Sequence, residues 1–72
     1  MYIFVSTQTG MRDNVNGVIQ KIPGVKRTYP CSHGPHIMYD ISVCLQDTAD
    51  VNATENKIKQ IEGVTKTDVL AQ

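Results

Sequence analysis

Two segments of this sequence leave a helix in the same way. Ile22-Pro23-Gly24-Val25 and Ile61-Glu62-Gly63-Val64 each end an apolar helical pattern on isoleucine, place glycine two residues on, and open a β-branched run with valine. Proline cannot extend the first helix, and glycine takes a left-handed exit without steric cost. The echo continues through Lys26-Arg27-Thr28 and Thr65-Lys66-Thr67, so the chain reads as two similar β-α-β halves. With right-handed crossovers, two such halves build an α+β, ferredoxin-like β-α-β-β-α-β sandwich: a four-stranded antiparallel sheet with both helices on one face.

The remaining pattern agrees with this frame. Tyr2 to Thr7 is β-branched and aromatic, short, and apolar on both sides, which predicts a central strand. Met11, Val15, Val18, Ile19 and Ile22 fall at helical spacing, predicting a helix over 11–22 with Thr9 or Asp13 as its cap. In the run from Val25 to about Ser32, Val25, Arg27, Tyr29 and Cys31 alternate with Lys26, Thr28, Pro30 and Ser32; Pro30 lacks an N–H and sends that strand to an edge. From Met38 to Leu45 the alternation sets Tyr39, Ile41, Val43 and Leu45 toward the core and Met38, Asp40, Ser42 and Cys44 away from it. Asp47 or Thr48 is the expected cap of a second helix that turns Ala49, Val51, Ala53, Ile58 and Ile61 to the sheet. Asp50 and Glu55 stand near its start and Lys57 and Lys59 near its end, as the helix dipole favours.

Seventy-two residues form one domain, residues 1–72, with a thin core. A chain of this size buries only about 60% of the surface its unfolded form exposes. Apolar residues on the sheet face without helices, Tyr2, Phe4, Met38 and Cys44, therefore mark a dimer interface, and a homo-oligomer is expected. Seven Lys plus Arg balance seven Asp plus Glu without a basic stripe, which argues against direct nucleic-acid binding. No basic leader and no membrane-length apolar run is present, so the expectation is a cytoplasmic protein whose Cys31 and Cys44 are reduced thiols.

Four features together resemble the effector domain of the Lrp/AsnC regulators, also called the RAM domain. They are the opening Tyr2-Ile3-Phe4-Val5, the joint Ile22-Pro23-Gly24-Val25, the segment from Gly34 through Tyr39-Asp40-Ile41-Ser42-Val43, and the closing Ile61-Glu62-Gly63-Val64. The resemblance covers nearly the whole chain and implies dimers made by pairing sheets face to face, rings of such dimers, and an amino acid or similar small molecule bound between dimers. In the family a Gly-x-Tyr-Asp motif lies near the ligand. Here Pro35-His36-Ile37-Met38 separates Gly34 from Tyr39-Asp40, and the implied ligand contacts are Gly34, His36, Tyr39 and Asp40. The chain begins directly at the sheet, without the family's helix-turn-helix, so the resemblance implies a stand-alone sensor or a module that joins a full-length Lrp/AsnC-type regulator.

The lengthened loop also carries Cys31, His33, His36 and Met38. A thiol, two imidazoles and a thioether within eight positions would suit copper, or zinc on Cys31, His33 and His36 alone; the plainer reading is a buried Cys31, a solvated histidine pair and Met38 filling space at the interface. Convergence depends on hairpin register. Pairs that sum to 70 set Cys31 opposite Tyr39, whereas an odd sum sets His33 opposite Met38 and Cys31 opposite Asp40. A Cys31–Cys44 bridge is disfavoured, because the even register leaves about 16 Å between the cysteines at ~3.3 Å per residue. No catalytic residue is expected: Cys31 and His33 lack a third group to orient them, and Asp40 lacks a second carboxylate at useful spacing.

Overall fold

The computed structural model describes residues 1–30 and 39–70. Its elements run β1 (Tyr2–Thr7), α1 (Arg12–Ile19), β2 (Val25–Pro30), β3 (Ile41–Leu45), α2 (Val51–Lys59) and β4 (Val64–Leu70). The strands form one antiparallel sheet in the order β2-β3-β1-β4, the ferredoxin-like arrangement. Tyr2–Thr7 is an interior strand and the Pro30 strand lies at an edge, as their compositions predict. Ile3 and Val5 of β1 and Ile41, Val43 and Leu45 of β3 meet Val15 and Ile19 of α1 and Ile58 of α2 in a single buried cluster.

The repeated exit signal has a repeated geometry. The Ile22 N–H donates to the Ile19 carbonyl and Val25 to Ile22, as Ile61 donates to Ile58 and Val64 to Ile61. Gly24 and Gly63 sit at φ 95° and 99°. The two halves also clasp each other reciprocally. Gln8, after β1, donates its N–H to the Gly63 carbonyl at 2.7 Å, and Gln46, after β3, donates to the Gly24 carbonyl at 2.8 Å. At Gly63 an added Cβ would lie 2.8 Å from Met11 Cε and 3.2 Å from Val15 Cγ2, so this glycine also admits the start of α1.

Local details depart from the sequence expectations. α1 starts at Arg12 and ends at Ile19; Met11 holds the cap position without a side-chain hydrogen bond, so neither Thr9 nor Asp13 caps it. α2 is capped by Asp50, whose carboxylate accepts from the Ala53 N–H at 3.1 Å, and not by Asp47 or Thr48. Ala53 is exposed and Thr54 takes its place against the sheet, buried, its hydroxyl donating to the Asp50 carbonyl at 2.7 Å. In β2 the register shifts between Val25, opposite Leu45, and Arg27, opposite Cys44. That irregularity separates residues that a strict alternation keeps on one side: Val25 packs against the core, while Arg27 and Tyr29 join the face away from the helices. Tyr39 lies before β3, outside its alternation, and its ring packs on Phe4 of the helix-free face.

Candidate functional site

The helix-free face is built by alternation. Tyr2 pairs with Cys44 and Phe4 with Ser42 across β1 and β3, Arg27 and Tyr29 extend the surface onto β2, and Lys66 and Asp68 extend it onto β4. The expected interface residues Tyr2, Phe4 and Cys44 thus share one face, each half-buried, whereas Met38 lies outside the described residues. Tyr29 is 45% exposed there, and the Arg27 guanidinium donates to its hydroxyl at 3.2 Å.

Tyr39 and Asp40 depart from the chain in different directions. Tyr39 reaches across β1: its ring lies 5.6 Å from that of Phe4, its hydroxyl donates to the Asp68 carboxylate, and the Lys66 ammonium stands 5.5 Å from the ring centre. The hydrogen bond to Asp68 is the largest cause holding the Tyr39 phenol above its ordinary pKa, followed by burial and the negative charge of Asp68; Lys66 pulls the other way. Asp40 instead closes the end of β1. It donates its N–H to the Val5 carbonyl at 2.8 Å and accepts from the Thr7 N–H at 2.7 Å and the Thr7 hydroxyl at 3.2 Å.

Beside that clamp lies a polar cleft of about 370 Å³, lined by residues 7–10, Arg12, Asp13 and Asp40. Gly10, at φ 83°, turns the chain from β1 into α1 and so brings Arg12 and Asp13 over the strand end. Arg12 approaches Asp13 at 3.9 Å, with Asp13 almost wholly solvated. The cleft offers a guanidinium, two carboxylates, hydroxyls and an amide, a set suited to a small charged or zwitterionic solute.

Among the expected ligand contacts, Asp40 lines the cleft and Tyr39 points to the open face, while Gly34 and His36 lie outside the described residues. The metal candidates Cys31, His33, His36 and Met38 all fall there too; among the described residues no cluster of His, Cys, Asp or Glu is arranged to hold a metal ion. The β2–β3 pairs from Arg27 to Pro30 sum to 71, the odd register. Cys44 is a free thiol opposite Arg27, four positions before Cys31. The cleft's Thr7, Arg12 and Asp13 had no sequence signal of their own, since they join Asp40 only when β1 pairs with β3.

The chain matches no family model and no curated protein. Solved structures to which it is similar in fold include two proteins of comparable length. One is TTHA0845 from Thermus thermophilus, 18% identical over 93% of this chain and 82% of that one, with a TM-score of 0.74. The other is the hypothetical protein PHS023 from Pyrococcus horikoshii, 19% identical over 99% of this chain and 88% of that one, with a TM-score of 0.71. At these identities the likeness establishes the architecture: the chain is a ferredoxin-like α+β domain.

Proposed function

We propose that this chain is a self-associating regulatory module that binds a small charged molecule, an amino acid or a close chemical relative, in the manner of the Lrp/AsnC effector domain. The observation that carries the reading is the cleft at the end of β1. Asp40, from the segment that resembles the family's ligand motif, stands there with Arg12 and Asp13. A carboxylate and a guanidinium in one cleft complement the ammonium and carboxylate of a zwitterion. Support for self-association comes from the aromatic surface of Tyr2, Phe4 and Tyr29 on the face opposite the helices.

The test is a thermal-shift screen with the common amino acids. A ligand at ten times its Kd stabilises the fold by about 1.4 kcal/mol, and a domain of this size gains about 4–8 °C per kcal/mol. Arg12→Ala and Asp40→Asn are expected to abolish the shift; the asparagine keeps an acceptor for Thr7 while removing the charge. An absent response to every amino acid, from a chain that is also monomeric by light scattering, refutes the reading.

A further inference from the structure

The outer edge of β4 has a self-complementary pattern. Among the described residues, β4 pairs only with β1. The direction of its free hydrogen-bonding groups follows from its neighbours. The Val5 carbonyl accepts from Asp40, so the main-chain groups of Val5 point toward β3. Val5 therefore faces Thr67 as a non-hydrogen-bonded pair, and the N–H and C=O of Thr67 point outward, away from β1. By the same alternation the groups of Val69 point outward as well. Val69 is 39% exposed, and the helix side of the edge is open at a hollow of about 280 Å³ bordered by Lys59 and residues 64–67.

From this edge we infer a second interface, in which the β4 strands of two copies pair antiparallel about a two-fold axis at Thr67 and continue one sheet into the next. In that register the two Thr67 residues exchange both main-chain hydrogen bonds. Lys66 of each copy then stands opposite Asp68 of the other, in the non-hydrogen-bonded positions where Cα atoms approach to about 4.5 Å and side chains lie closest. Sliding one strand by two residues in either direction sets Lys66 against Lys66 or Asp68 against Asp68. An odd slip opposes the two side-chain faces. Within one chain Lys66 and Asp68 stand 3.9 Å apart and Asp68 accepts from Tyr39, so the two-fold register extends an existing pair into an alternating row of four charges, whereas its neighbours set like charges together. A second copy of this chain is the partner that fits, because the complement of the pattern is the pattern itself. The main-chain hydrogen bonds of this interface run through the edge of the sheet, while Lys66 and Asp68 border the open face as well, so the Thr67 cross-link on the helix side is what separates the two contacts.

The experiment is disulfide trapping in the full-length chain carrying Cys31→Ser and Cys44→Ser, with Thr67→Cys added. The Thr67 hydroxyl donates to Glu55 on the helix side, so a cysteine there meets its counterpart through the edge and not through the open face. The expected result is a covalent dimer under mild oxidation. Lys66→Asp or Asp68→Lys alone slows trapping about tenfold or more, and the double exchange restores it. Circular dichroism verifies that each variant is folded. Failure to trap, or trapping that ignores the single exchanges, overturns the proposal. Should the cysteine variant not fold, the same charge exchanges in the native chain are read by sedimentation: each alone lowers the assembly order and the pair restores it, and an order unchanged by all three overturns the proposal.

Discussion

Tyr39 and Gly63 show how much of this fold rests on single residues. Tyr39, just ahead of β3, ties β1 to β4 by lying over Phe4 and donating to Asp68. Its phenol is held above the ordinary value, so the neutral form is favoured in the folded state. That contribution is present below the unfolded phenol's pKa, about 10, and is lost as pH rises through the higher folded value. Denaturation in urea across that range is expected to show a loss of stability in the wild type that Tyr39→Phe lacks. Gly63 combines a left-handed backbone with contacts to Met11 and Val15 that leave no room for a methyl group. Gly63→Ala is expected to cost about 2–4 kcal/mol, from backbone strain and overpacking together. Gly24→Ala, whose Cβ would lie 3.1 Å from that of Ala49, costs about 1–2 kcal/mol on backbone grounds. Equilibrium urea unfolding compares the two. The glycines were legible in the sequence as helix exits; the second demand on Gly63, made by Met11 from the far end of the chain, was not.

At the scale of elements, what periodicity reads well is what depends on neighbours in sequence. Tyr2–Thr7 and Ile41–Leu45 follow their alternation because each side chain's face is set by the pleat. Departures arise where pairing over long distance decides. The register shift between Val25 and Arg27 comes from fitting β2 to β3, and Tyr39 leaves the alternation because Asp40 is drawn to Thr7 at the end of β1. The choice of cap was ambiguous for a local reason: Asp47, Thr48 and Asp50 are all capable residues, and only Asp50 accepts from the main chain three residues on. Asp50→Ala is therefore expected to cost about 0.5–2 kcal/mol, whereas Asp47→Ala and Thr48→Ala change stability by about 0.5 kcal/mol or less. Chemical denaturation of the three variants checks the assignment. The candidate cleft was legible only through Asp40, since its other charged members, Arg12 and Asp13, open α1 at a helix start that carries no ligand motif.

Across the described residues, two helices cover one face of the sheet and an aromatic, half-polar surface forms the other. Among the described residues no helix is long and apolar enough to cross a membrane. A domain this small has a net stability of roughly 0.05–0.15 kcal/mol per residue, so under the proposed self-association a second copy over Tyr2, Phe4 and Tyr29 would add a term comparable to the fold's own margin. Tyr2→Asp places a charge in that surface next to Cys44, and it is expected to weaken association while leaving the helical circular-dichroism signal in place. Sedimentation velocity of the wild-type chain at micromolar concentration, with Tyr2→Asp alongside, tests the account most directly. It predicts a dimer or larger assembly for the wild type and a lower order for the variant; a wild-type chain that sediments as a monomer throughout contradicts it.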